Sequence, residues 1–198
     1  MNTPNKLTVA RMIATPIFMI TMIWDFPFHY LAAFLLFIGA SLTDLIDGKM
    51  ARKHNLVTNF GKFLDPLADK MLTTAAYLGF IYVFRGTVYC WQIILVTFIV
   101  LFREFAISSV RLVVVSSDSG KVIAANIWGK TKTVSQMLSI IAALFAYVLI
   151  CDIGIHNALF VQICNVAIAI LFWISAAVCV ISGAVYMIEA KDYINPSK

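Results

Sequence analysis

Apolar residues run along this chain in long stretches separated by short polar clusters. A membrane-crossing helix needs about 20 mostly apolar residues. Six stretches come near that length: about Leu7 to Trp24, Tyr30 to Asp47, Asp65 to Phe84, Tyr89 to Val115, Thr133 to Cys151 and Leu159 to Ile188. The last is long enough to tilt or protrude. Pro27 breaks the chain within Asp25-Phe26-Pro27-Phe28-His29, and a second turn falls between Cys151 and Asn157. No small-residue cleavage site follows Met12 to Trp24, so the first stretch is expected to remain as an anchor. The pattern predicts an all-α integral membrane protein of six transmembrane helices, forming a single domain over residues 1–198.

Composition agrees and narrows the class. The chain is 62% hydrophobic and 13% charged, against 45–50% and about 25% in soluble domains. A soluble enzyme, a disordered chain and a disulfide-rich secreted module are all excluded on that balance. The net charge of +5 comes without a soluble basic patch, so nucleic acid is not an expected partner. Placed on six spans, fourteen of the fifteen Lys and Arg residues fall on one side, and only Arg85 falls on the other. Lys and Arg mark the cytoplasmic side, so both termini and the loop between the second and third spans are expected there. Cys90, Cys151, Cys164 and Cys179 show no metal-ligand spacing and read as small packing residues. A Cys90–Cys151 pair stays open, since both fall near the outer face.

The carboxylates are the unusual feature. Four of the ten lie within 26 residues: Asp44, Asp47, Asp65 and Asp69. A carboxylate deep in a bilayer costs roughly 2.5–3.5 kcal/mol, so such a residue is a functional candidate by default. Asp44 and Asp47 are three apart and Asp65 and Asp69 four apart, so on helices each pair shares a face. A short connection makes the two helices neighbours and lets four carboxylates converge, where unpaired charges would repel. Hard oxygen ligands without a nearby cysteine favour Mg²⁺ or Mn²⁺ over zinc. Four suffice for two ions, the arrangement that clamps a transferring phosphoryl group. Between the pairs, Gly48 allows close approach to the backbone and Arg52 can grip a phosphate. Each of these residues alone has a bland explanation: a helix cap, a turn, an interfacial charge. The joint pattern does not.

Asp44-Leu45-Ile46-Asp47-Gly48-Lys49-Met50-Ala51-Arg52, eight residues, then Gly61-Lys62-Phe63-Leu64-Asp65-Pro66-Leu67-Ala68-Asp69 resembles the signature D-x2-D-G-x2-A-R-x8-G-x3-D-x3-D of the CDP-alcohol phosphotransferases. All eight fixed positions are present at that spacing. The resemblance implies transfer of a substituted phosphate from a CDP-linked donor to an alcohol, with release of CMP. It implies that Asp44, Asp47, Asp65 and Asp69 bind two Mg²⁺ or Mn²⁺ ions and that Asp69 is the general base. It also implies that Gly48, Arg52 and Thr58 contact the CDP moiety and that the protein is a homodimer.

The acceptor is read from other positions. Pro4 through Arg11, Leu64 through Lys70, Arg103-Glu104-Phe105 through Arg111, and Gly129 through Thr133 resemble the phosphatidylglycerophosphate-forming branch of the family. That implies CDP-diacylglycerol as donor and glycerol 3-phosphate as acceptor, in a bacterial cytoplasmic membrane with the site facing the cytoplasm. A phosphorylated acceptor needs cations. Arg103 and Arg111 are two helical turns apart, and Lys130 and Lys132 enter from the same side. For Arg103 a structural pairing with Glu104 is the competing role. The open alternatives are other acceptors (inositol phosphate, phosphatidylglycerol or serine) and, from another class, a divalent-cation transporter. The charge distribution makes one direct prediction. A fluorescent protein fused to the C terminus should fluoresce in bacterial cells, and an alkaline phosphatase fused there should be inactive.

Overall fold

The structure, a computed structural model, describes residues 3–53, 59–116 and 127–194, without the side chains of residues 3, 4, 45–63, 65, 66, 69, 115, 116 and 192–194. Six α-helices follow in order: α1 (Thr3–Ile23), α2 (His29–Lys53), α3 (Asn59–Val83), α4 (Cys90–Ser116), α5 (Ile127–Tyr147) and α6 (Ala158–Ile194). A π-helical segment, Val148–Asp152, prolongs α5. No strand occurs among the described residues.

Each helix corresponds to one predicted stretch, but several run past the apolar pattern at their polar ends. α2 continues to Lys53, α5 begins at Ile127, and α3 begins at Asn59 rather than Asp65. Hydropathy marks the part of a helix that suits lipid. The backbone ladder needs no apolar side chain and continues beyond it. Pro66 therefore lies two turns inside α3. The stretch between the two aspartate pairs, expected to be a linker, is largely helical too.

By length and composition, four helical segments among the described residues can cross a membrane: Asn5–Ile23, Cys90–Val114, Ile127–Asp152 and Ala158–Lys191. α2 offers a shorter apolar segment, His29–Asp44. Phe98, Phe102, Phe105, Leu112 and Ile188 point outward and are well exposed. A surface of that kind suits lipid, not water. The chain is a multi-pass membrane protein.

Helix contacts form a closed circuit, α1 to α2, α5, α6, α4, α3 and back to α1. Within it lies a core of Phe18, Phe37, Tyr77, Phe80, Phe84 and Phe172, each at most 1% exposed. Phe80 stands edge-on to Phe172 with ring centroids 5.3 Å apart, and Phe84 edge-on to Tyr147 at 5.8 Å. Edge-to-face pairs add about 0.5–1.5 kcal/mol each beyond simple burial. Gly79 lets α1 come close to α3: a Cβ there would lie 3.0 Å from the Met22 methyl. Polar contacts tie helices inside the apolar region, where association relies on packing and hydrogen bonds. The Tyr77 hydroxyl meets the Ser175 hydroxyl at 3.1 Å, and the Ser139 hydroxyl donates to the Leu171 carbonyl at 3.2 Å.

The end of the helices away from the signature aspartates is stapled across the sequence. Phe28 adopts a left-handed conformation (φ 61°) and turns the chain into α2. The Leu31 amide in the first turn of α2 donates to Asp152 Oδ2 at 2.6 Å, at the end of the π segment. Asn157 Oδ1 accepts from the Leu159 and Phe160 amides and caps α6. Cys90, Cys151, Cys164 and Cys179 are all free thiols, so the open question of a Cys90–Cys151 bridge is answered by two separate residues. Asp152→Ala should lower the thermal midpoint of the detergent-solubilised protein, by an amount equivalent to about 1 kcal/mol, the usual worth of a cap. Asp152→Asn, which keeps an acceptor oxygen, should recover part of it.

Candidate active site

The four aspartates sit where two helices reach their polar ends. Asp44 and Asp47 lie on one unbroken helix, α2, and Asp65 and Asp69 on another, α3. Spacings of three and four therefore do put each pair on one helical face. Gly48 and Arg52 also belong to α2, so they follow the first pair on the same helix rather than in a loop. Thr58 lies outside the described residues. Of the four carboxylates, Asp44 is the one whose side chain is described. α1 packs along both α2 and α3, whereas α2 and α3 touch little among the described residues.

α1 enters the site through one residue. The Arg11 guanidinium donates from Nη1 to Asp44 Oδ1, with Arg11 only 2% exposed. The Asp44 side chain is 31% exposed. The sequence pattern shows Arg11 only as one more cation on the basic side. Its position four residues inside an apolar span was the available signal, since intramembrane charges need a partner. Which of the aspartates it would meet was not legible.

The donor set fits a hard divalent cation. It is all carboxylate, it lies on two continuous helices, and its described member is half-buried and held in place by a cation. Among the described residues no three His, Cys, Asp or Glu side chains cluster by themselves. Such a site would need Asp47, Asp65 and Asp69 alongside Asp44.

A second polar group forms where α3, α4, α5 and α6 meet. Glu104 Oε1 accepts from Arg103 Nη1 at 3.1 Å and from Lys132 Nζ. Arg103 Nη2 donates to the Ser182 hydroxyl on α6 at 2.9 Å. Lys70, next to Asp69 on α3, donates to the Ser108 hydroxyl on α4. Ser108 in turn donates to the Glu104 carbonyl at 2.7 Å. The four candidate acceptor cations thus divide into two kinds. Arg103 and Lys132 are internal and share Glu104. Arg111 and Lys130 are exposed, with the Arg111 guanidinium 5.8 Å from the Tyr186 ring centre. Ser108, Ser182 and Tyr186 left no trace in the sequence pattern, because only packing brings their helices together.

Comparison with known proteins now bears on these residues. The CDP-alcohol phosphatidyltransferase family matches residues 1–181. The chain belongs to that family. The CDP-diacylglycerol–glycerol-3-phosphate 3-phosphatidyltransferase of Bacillus subtilis (strain 168) is 40% identical over 208 aligned positions, covering 99% of this chain and 98% of the relative. Proteins of the same name from Rickettsia bellii and Haemophilus influenzae are 34% and 33% identical, each covering more than 90% of both chains. As a CDP-alcohol phosphatidyltransferase the chain is an enzyme, and the polar ends of α2 and α3 carry its signature residues.

The Arg11–Asp44 contact can be measured directly. Arg11→Ala and Asp44→Asn should each lower the thermal midpoint. The double variant should cost less than the sum, with a coupling of about 1 kcal/mol, reduced by the partial exposure of Asp44. Full additivity would mean that the pair contributes nothing to stability.

Proposed function

We propose that this enzyme transfers the phosphatidyl group of CDP-diacylglycerol to glycerol 3-phosphate, giving phosphatidylglycerophosphate and CMP. The observation that carries this reading is end-to-end similarity to phosphatidyltransferases of that name, with all eight signature positions present. Family membership sets the cation-transporter reading aside.

In this reading the chain forms one domain over residues 1–198 and works as a homodimer in the bacterial cytoplasmic membrane. All six helices span, with both termini and the site at the cytoplasmic face. The one-sided placement of Lys and Arg supports that orientation, and the homodimer rests on the family resemblance.

Asp44, Asp47, Asp65 and Asp69 would hold two Mg²⁺ or Mn²⁺ ions. Such ions neutralise the diphosphate of the donor and stabilise charge on the transferring phosphorus. Gly48, Arg52 and Thr58 bind the CDP portion. A glycine on an α2 face lets the nucleotide approach closely, and the Arg52 fork matches phosphate oxygens. Asp69 takes the proton from the primary hydroxyl of glycerol 3-phosphate. That oxygen bonds to the phosphorus next to the diacylglycerol, and the bond from this phosphorus to CMP breaks. The acceptor's own phosphate falls to Arg103, Arg111, Lys130 and Lys132. The diacylglycerol tails stay against the apolar outer faces of the helices, continuous with lipid.

Purified protein given CDP-diacylglycerol, glycerol 3-phosphate and Mg²⁺ or Mn²⁺ should form phosphatidylglycerophosphate and CMP, and chelation should stop it. Product from inositol phosphate, phosphatidylglycerol or serine, and none from glycerol 3-phosphate, would transfer the reading to another acceptor. Asp69→Asn should lower turnover by at least about 100-fold, the scale of a lost general base, while the thermal midpoint stays near that of the parent. Retained turnover would remove Asp69 from the base role.

A further inference from the structure

Glu104 stands apart from the signature and has no role in the reaction as written, yet it is the carboxylate on which two of the acceptor cations converge. Its side chain is 15% exposed, and those of Arg103 and Lys132 are 12% and 11% exposed. Both cations meet the same oxygen, Oε1. One carboxylate balances one of the two, so this three-residue set keeps a positive charge in a poorly hydrated place. Charge of that kind persists only with well-made hydrogen bonds or an anionic partner.

The surrounding structure fixes Arg103 from the other side. Ser182 takes Nη2, and Gly183 gives the side chain room: a Cβ there would lie 3.0 Å from Arg103 Cγ and 3.3 Å from Nε. Arg103 Nε is buried with no hydrogen-bond partner. Lys132 has no second described partner and points into the group from α5. The group is joined to the reacting end of α3, because Lys70, which follows Asp69, holds Ser108 one turn beyond Glu104.

We infer that Glu104 is a positioning residue for the acceptor. By sharing one oxygen between Arg103 and Lys132 it holds both cations where the phosphate of glycerol 3-phosphate binds, and keeps them from spreading apart by mutual repulsion. It touches neither substrate. The inference rests on the acceptor reading proposed above. Long cationic side chains lose much rotamer freedom on ordering, and a carboxylate that orders them beforehand removes that cost from acceptor binding.

The test is steady-state kinetics of the full chain in detergent–lipid micelles, varying each substrate in turn. Glu104→Gln keeps the shape and one acceptor oxygen but removes the charge. It should raise KM for glycerol 3-phosphate at least 10-fold and leave KM for CDP-diacylglycerol within twofold. Glu104→Asp should recover part of the loss. Lys132→Met should raise the same KM, and combining it with Glu104→Gln should add less than the product of the single effects. A sample that is partly unfolded loses kcat but keeps both KM values, so misfolding does not imitate this result. An acceptor KM within twofold of the parent in Glu104→Gln, or an equal rise in both KM values, overturns the inference. If Lys132→Met leaves acceptor KM unchanged, the acceptor reading of Lys132 fails, and the role of Glu104 through it fails too.

Discussion

A charged group inside a bilayer has to find its partner within the protein, and this constraint organises the molecule. Water is absent from the hydrocarbon, so every buried ion is paired, moved toward an interface or both. Arg11 meets Asp44, and Arg103 and Lys132 meet Glu104. Arg11–Asp44 ties α1 to α2 and Lys132–Glu104 ties α5 to α4, while Arg103 and Glu104 are neighbours on α4 itself. The aromatic core about Phe80 and Phe172 packs within the same circuit of helices.

The same constraint separates chemistry from anchoring. Outward faces carry Phe, Leu and Ile against lipid, and the interior away from the site uses hydroxyl and amide contacts such as Tyr77–Ser175. The described ion pairs lie toward the polar end of α2, where Arg11 meets Asp44, and between α4 and α5, where Arg103 and Lys132 meet Glu104. A reaction between a lipid-linked diphosphate and a water-soluble phosphate needs such a boundary. The one substrate is a lipid and the other dissolves in water. The division of cations into an internal pair and an exposed pair, Arg111 and Lys130, follows that boundary.

The placing of the aspartate pairs on helices was legible in the sequence because their spacing is local. Asp44 with Asp47, and Asp65 with Asp69, share faces on any helix, and both pairs do lie on helices. Boundaries were less legible. Hydropathy reports what lipid accepts, so it placed the start of the third helix at Asp65 and overlooked the polar turns from Asn59. Arg11 was visible as a charge in an apolar span, but not as the partner of Asp44, thirty-three residues away. Ser182 and Gly183 gave no signal, because their role is to accommodate a side chain from another helix.

By itself the sequence determined the class of protein, the approximate positions of its helices and the spacing of the family signature. Those properties depend on composition and on spacings of a few residues, which helical geometry turns into faces without further information. Tertiary structure alone decided the circuit in which the helices touch, the pairing of Arg11 with Asp44 and the meeting of Lys132 with Glu104. Those contacts join residues tens of positions apart, and the free energy that selects them is shared over the whole packed interior.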